Sequence, residues 1–226
     1  MNFLLNIHTS TETAIVNLCD GPDLIATKEN SNSKQHASFL HTAVHQILQE
    51  LDIQPKDLKA IGVTGGPGSY TGIRVGLASA KGLCFALNIP LILLNTLEVM
   101  ALSNIENLSD KNALYCPMID ARRMEVFTAV FDDQLNEVIP PSAMVLTENT
   151  FQDIIENKDI YFFGSGSQKF KNLVPHFPVS NFIESRISSK ILGEFSWHKY
   201  QKNEFVNTFS AIPFYMKDFY SIEKNR

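Results

Sequence analysis

Residues 59–87 constrain the fold more than any other stretch. An apolar run ending at Thr64 (KAIGVT) leads directly into the glycine-rich turn GGPGSYTG at 65–72, and from there into an apolar helical segment that stops before Pro90. A second apolar run, 90–95, follows. Two strands joined through a helix lie parallel in one sheet, so the chain must build an α/β layer rather than a meander alone or a helical bundle.

The flanking sequence extends that unit. Upstream, the short apolar runs 3–8, 14–20 and 23–29, broken at turns such as Gly21-Pro22, predict a three-stranded meander. Leu40, Val44, Ile47, Leu48 and Leu51 then recur at helical spacing and predict an amphipathic helix over 36–51. Another helix is expected over 96–105. The second half repeats this grammar. Strands are expected at 113–120 and 125–132, joined by the turn DARRM (120–124), and a short run at 137–139 ends at Pro140-Pro141. A helix over 147–157, a strand at 160–163 running into Gly164-Ser165-Gly166, and a helix over 188–200 complete it. A β-β-β-α-β order used twice, without residue-level repetition, predicts an actin-like (ASKHA) α/β architecture. In it, each lobe is a ribonuclease-H-like unit of mixed sheet with flanking helices, here residues 1–105 and 106–226.

Composition excludes several classes. The 226 residues are 44% hydrophobic and carry a formal charge of −5, with neither half basic. Independent nucleic-acid binding needs clustered cations and is opposed by that balance. The most apolar stretch, 89–94, is far shorter than the ~20 residues that span a bilayer, and the N-terminus has no basic leader, so a cytoplasmic protein is expected. Cys19, Cys84 and Cys116 are odd in number and far apart, which predicts buried reduced thiols rather than disulfides or a zinc site. His41 and His45 lie four apart on a helix, but nothing else at ligand spacing supports a metal between them. The acid and two guanidinium groups at Asp120, Arg122 and Arg123 read as an exposed turn with a local ion pair, open to partner binding.

Two features remain candidates for function. The glycine-rich turn is either a structural bend or a phosphate cradle formed by Ser10, Gly66, Gly68, Ser69 and Thr71; it has no P-loop lysine. In the helix after it, Gly72, Gly76, Ala80 and Cys84 form a small-residue stripe at i, i+4 spacing, flanked by Ile73, Leu77, Leu83 and Leu87. Such a helix is expected to be pressed closely by another, either 36–51 of the same chain or one from a partner.

The segment GGPGSYTGIRVGLASAKGLCFALNIPLILLNTLEVMA (65–101) resembles the bacterial TsaB (YeaZ) family of threonylcarbamoyladenosine biosynthesis proteins. Weaker matches are LLNIHTST at 4–11, His36, MIDARRMEV at 118–126, GSGSQKF at 164–170 and IPFYMKD at 212–218. That resemblance implies a non-catalytic scaffold, paralogous to the catalytic subunit TsaD, which transfers a threonylcarbamoyl group to the adenosine 3′ of the anticodon in tRNAs reading A-starting codons. It implies docking on TsaD through the first two helices, with His36, Leu40, Val44, Ile73, Gly76, Leu77, Ala80 and Leu83 as contacts. Recruitment of the ATPase subunit TsaE, tRNA contact only within the complex, self-pairing of the isolated chain and a nucleotide at the subunit interface are further implications. TsaD holds its metal with an Asn-His-x-x-x-His segment; here Thr96 and Met100 stand at the two imidazole positions, so no metal or cofactor is expected. His8 replaces the first-strand aspartate of actin-like ATPases. An actin-like small-molecule kinase, a metallopeptidase and an independent RNA-binding module are the competing readings.

Overall fold

The computed structural model describes residues 1–32, 35–155, 158–178 and 181–216. The first unit opens with β1 (Phe3–His8), β2 (Ala14–Asp20) and β3 (Asp23–Asn30), an antiparallel meander. Helix α1 (His36–Glu50) leads to β4 (Leu58–Thr64), which pairs parallel with β1, and α2 (Tyr70–Leu87) leads to β5 (Leu91–Leu94), parallel to β4. The strand order is β3-β2-β1-β4-β5. Helix α3 (Thr96–Leu108) follows, its first turn capped by the Asn95 side chain.

The second unit has the same order. β6 (Leu114–Asp120), β7 (Glu125–Phe131) and β8 (Glu137–Val145) form the meander, and β9 (Ile160–Phe163) and β10 (Phe182–Ile183) add in parallel, giving β10-β9-β6-β7-β8. Its helices are α4 (Gln152–Ile155), α5 (Ser167–Leu173) and α6 (Ser189–Gln201). Strand order 3-2-1-4-5, with the first three antiparallel and the rest parallel, is the ribonuclease-H-like arrangement, present twice.

Three expectations change. β8 does not end at Pro140-Pro141 but runs nine residues through them, which an edge strand tolerates because its outer N–H groups need no partner. Of the helix expected over 147–157, only Gln152–Ile155 is helical, and residues 156–157 lie outside the described ones. The expected boundary at 105/106 falls inside α3.

Alternation within the strands explains that last result. Leu5 and Ile7 face α1 and α2 in a core with Leu40, Ile47, Ile61, Val63 and Leu77. On the other face Leu4, Ile15, Ala60, Ile92 and Leu94 pack with Leu192 of α6, which belongs in sequence to the second unit. Conversely Leu97, Met100 and Ala101 of α3 pack against Tyr115, Ile119, Phe131 and Phe163 of the second sheet. Aromatic Phe162, Phe170 and Phe182 fill that sheet's far side. The two units therefore exchange helices, and α3 and α6 form a shared middle layer between the sheets.

Candidate functional site

The C-terminal end of β1 meets the glycine-rich turn that follows β4, and the two are in direct backbone contact. The Ser69 N–H donates to the Ser10 carbonyl at 2.7 Å, and a side chain at Gly68 would run into that same carbonyl. Ser69 caps α2 by accepting from the Gly72 N–H, Gly65 accepts from the Phe214 N–H, and Gly66 accepts from the Thr96 N–H. Ser10 is fully buried, with its hydroxyl 2.8 Å from that of Thr64. Gly66, whose φ is +112°, is also buried, Gly68 is partly so, and Ser69 and Thr71 are the two of the five expected phosphate contacts that reach the surface. This geometry closes the turn on the chain's own backbone and leaves Ser10 and Gly66 buried.

His8 occupies the first-strand position. It is wholly buried, with Nδ1 3.0 Å from Thr64 Oγ1 and Nε2 2.8 Å from Thr11 Oγ1. Burial, and secondarily His36, push its pKa down to about 3, so the ring is neutral at ordinary pH. A neutral ring with both nitrogens engaged cannot replace a carboxylate as an anchor for magnesium. Thr96 and Met100 are buried too. Met100 lies under Gly164, and the Thr96 hydroxyl has no hydrogen-bond partner among the described residues. The three cysteines are free and buried, and burial raises each thiol to about 12, which removes them as nucleophiles.

The expected docking residues are turned inward. Leu40, Val44, Gly76, Leu77 and Ala80 are buried against the chain's own first sheet, His36 is buried with Nε2 3.0 Å from the Thr11 carbonyl, Ile73 is buried beside Gly66, and Leu83 is half-buried at the edge of the same core. The small-residue stripe has an internal cause: a side chain at Gly72 would meet the Thr9 carbonyl, and one at Gly76 the Thr9 hydroxyl, with Ile7 and Val63 close behind. The stripe lets α2 lie directly on β1 and β4. What α1 and α2 leave outside is their opposite faces. These carry His41, Thr42, His45, Gln46 and Gln49 on α1, and Arg74, Ala78, Gly82 and Phe85 on α2, with Phe85 67% exposed. The helices lie side by side, and the Ser79 hydroxyl is 3.3 Å from His41 Nε2.

Sequence reasoning missed a strap formed by residues 205–216. Val206 bridges to Leu91 at the edge of β5, and Lys81 donates to the carbonyls of Phe209 (3.1 Å) and Ala211 (2.9 Å). Phe209 packs edge-on against Phe85, and Tyr215 against Tyr70. Ile212 and Phe214 are exposed beside them. The strap thus continues the outer face of α2 as an aromatic ledge. Its sequence signals were the short family match IPFYMKD beginning at Ile212 and an apolar density too short and irregular for a strand or helix.

A cleft of about 760 Å³ separates the lobes, lined by Thr11, Glu12 and Glu29 of the first and by Ser165, Lys171 and Glu184 of the second, among others. Beside it the β6–β7 hairpin tip holds Arg122 and Arg123 with φ of 68° and 49°. Two successive non-glycine residues in the left-handed region cost on the order of 1 kcal/mol each. Asp120 braces the tip, its Oδ1 accepting from the Arg122 N–H at 2.6 Å and from Lys169 Nζ at 2.7 Å. Partial burial opposes the charge on Asp120, but these two donors outweigh it and hold the carboxyl below its ordinary pKa. Among the described residues no group of three or more His, Cys, Asp or Glu is placed to hold a metal, and no helix is long and apolar enough to cross a membrane.

Two interlocked ribonuclease-H-like units around a cleft define an actin-like two-lobe protein. The family model for TsaD, described as tRNA N6-adenosine threonylcarbamoyltransferase, matches residues 25–204. The tRNA threonylcarbamoyladenosine biosynthesis protein TsaB of Bacillus subtilis (strain 168) is 32% identical over 176 residues, 76% of this chain and 74% of that one. A tRNA N6-adenosine threonylcarbamoyltransferase of Christiangramia forsetii is 28% identical over 174 residues, 65% of this chain and 51% of its own, so this chain spans about half of that relative. Among solved structures, YeaZ from Pseudomonas aeruginosa aligns with a TM-score of 0.76 at 23% identity, over 95% of this chain and 100% of that one. A protein described as similar to peptidase YEAZ from Pseudomonas aeruginosa aligns at 0.81 and 21%, over 96% and 100%. The chain belongs to the TsaB family, within the wider TsaD family.

Proposed function

We propose that this chain is the non-catalytic scaffold of the assembly that transfers a threonylcarbamoyl group to the adenosine 3′ of the anticodon in tRNA. Its kinship with TsaB supports the pathway, and one observation supports the non-catalytic role. The two positions where the catalytic paralogue needs imidazoles are a buried hydroxyl and a buried thioether, Thr96 and Met100, neither of which replaces imidazole toward a divalent ion. The glycine-rich turn is closed on Ser10, which argues against a phosphate cradle there, and the cleft carries Lys171 and Arg186 as well as Glu12, Glu29 and Glu184. A nucleotide in the assembly belongs at the boundary with the partner. The work takes place in the cytoplasm, with TsaD and the ATPase subunit TsaE as partners.

Docking uses the outward faces of α1 and α2 and the aromatic ledge beside them, not the inward residues the sequence pointed to. Exposed Phe85, Phe209 and Ile212 supply apolar area that a partner helix can cover. The isolated chain pairs with itself through that same area.

The test is threonylcarbamoyl transfer to unmodified tRNA by the catalytic paralogue, with and without this chain. Transfer should require the chain, and Phe85→Asp should abolish both co-elution with the paralogue and the stimulation, while the variant stays folded. Full transfer without the chain, or ATP turnover by the chain alone, would overturn the reading.

A further inference from the structure

We infer that the β6–β7 hairpin tip is an RNA-backbone contact, with the Arg122 and Arg123 guanidinium groups holding phosphates of the tRNA once the chain is docked on its partner. This rests on the function proposed above and adds a surface to it. A tight hairpin tip with positive φ favours Asn and Gly, yet here it carries two long cations. The turn is also braced rather than loose: Asp120 accepts from the Arg122 N–H and from Lys169, and its own N–H donates to Ser165 Oγ at 3.1 Å. Such a scaffold fixes where the two side chains start.

Both arginines are exposed, and neither guanidinium has a hydrogen-bond or ion-pair partner among the described residues. Lys169, from α5, stands behind them with its charge matched by Asp120, so the tip is a positive point on a chain of net charge −5. Neither Arg122 nor Arg123 lines the cleft, whose walls carry their own cations, Lys171 and Arg186, beside Glu12, Glu29 and Glu184. The arrangement therefore suits an extended polyanion passing outside the cleft rather than a small anion within it. Guanidinium forks match phosphate oxygens in pairs. Two such contacts are too few for tight binding alone, and they become effective when docking brings the tRNA to them.

The experiment measures binding of an unmodified tRNA transcript to the assembled complex across a range of salt concentrations. One complex carries the wild-type chain, one Arg122→Asn with Arg123→Gly, and one Arg122→Lys with Arg123→Lys. The Asn-Gly variant relieves the left-handed strain, so it should raise the Tm of the isolated chain by roughly 3 °C. It should also reduce the slope of log K against log salt by about 2 and weaken binding at low salt about tenfold, while co-elution with the paralogue is unchanged. The lysine pair should keep the slope. An unchanged slope in the Asn-Gly complex overturns the inference, as does loss of co-elution, which would make the tip a protein contact. If transfer still depends on this chain while the slope stays put, only the inference has failed; if transfer never depended on it, the proposed function has failed and takes the inference with it.

Discussion

His8 shows how one buried side chain leaves a measurable stability signature. Its pKa falls from 6.5 to about 3, so between those values the unfolded chain holds a proton that the native ring refuses. The unfolded state then binds more protons, and stability, fully present above pH 6.5, is lost as pH falls through that window. By pH 5 the loss attributable to this group is about 2 kcal/mol. Urea unfolding of wild type and His8→Asn at pH 7.5 and pH 5.0 checks this: the variant should be less stable at pH 7.5 yet lose about 2 kcal/mol less on acidification. An identical pH dependence in the two proteins would assign the loss to other groups. The residue was legible as a departure from the aspartate pattern, but its neutrality was not. That follows from its enclosure by Thr64, Thr11 and His36, which come from three different segments.

At the scale of elements, α2 has two faces, one pressed on the chain's own sheet and one exposed, and the docking residues expected from the sequence lie on the pressed one. A stripe of Gly72, Gly76, Ala80 and Cys84 looks the same whether a strand of the same chain or a helix of another presses on it, because close approach requires only the absence of bulk. The structure assigns the stripe to β1 and β4. Gly76→Ala should therefore destabilise the chain by about 1–3 kcal/mol through overpacking against the Thr9 hydroxyl, whereas Phe85→Asp should change stability by less than about 0.5 kcal/mol because Phe85 is mostly exposed. Chemical denaturation of the two variants decides between the faces; a large loss at Phe85 would mean that the strap, held there through Phe209, is part of the core. Element type was readable where periodicity ran long, as in α1. It failed at β8, where Pro140 and Pro141 stop a central strand but not an edge one, and edge position is not written locally.

The whole molecule is held together by exchanged helices. Helix α6 covers Leu4, Ile15, Ala60, Ile92 and Leu94 of the first sheet. Its N-terminus is tied down by Asn17 Nδ2 donating to the Ser189 carbonyl at 2.6 Å and by Ser189 Oγ donating to Glu29 at 2.8 Å. At roughly 1.5–3 kcal/mol per large apolar side chain, uncovering that face costs on the order of 10 kcal/mol, comparable to the net stability of a domain. A fragment of residues 1–108, although it contains a complete five-stranded sheet, should show no cooperative thermal unfolding and should bind a hydrophobic dye. A sharp transition in that fragment, followed by near-ultraviolet circular dichroism, would show that the first lobe stands alone.

The sequence by itself determined the element order, the doubled strand grammar and the missing imidazoles, because periodicity, turn chemistry and residue identity are properties of neighbours along the chain. Only the tertiary structure decided which face of each helix is covered, that α3 and α6 cross between the sheets, that the glycine-rich turn is shut and that two arginines stand in left-handed backbone at a lobe's edge. Those outcomes depend on contacts between segments far apart in sequence, such as Ser10 with Ser69 or Asn17 with Ser189, and no local pattern encodes them.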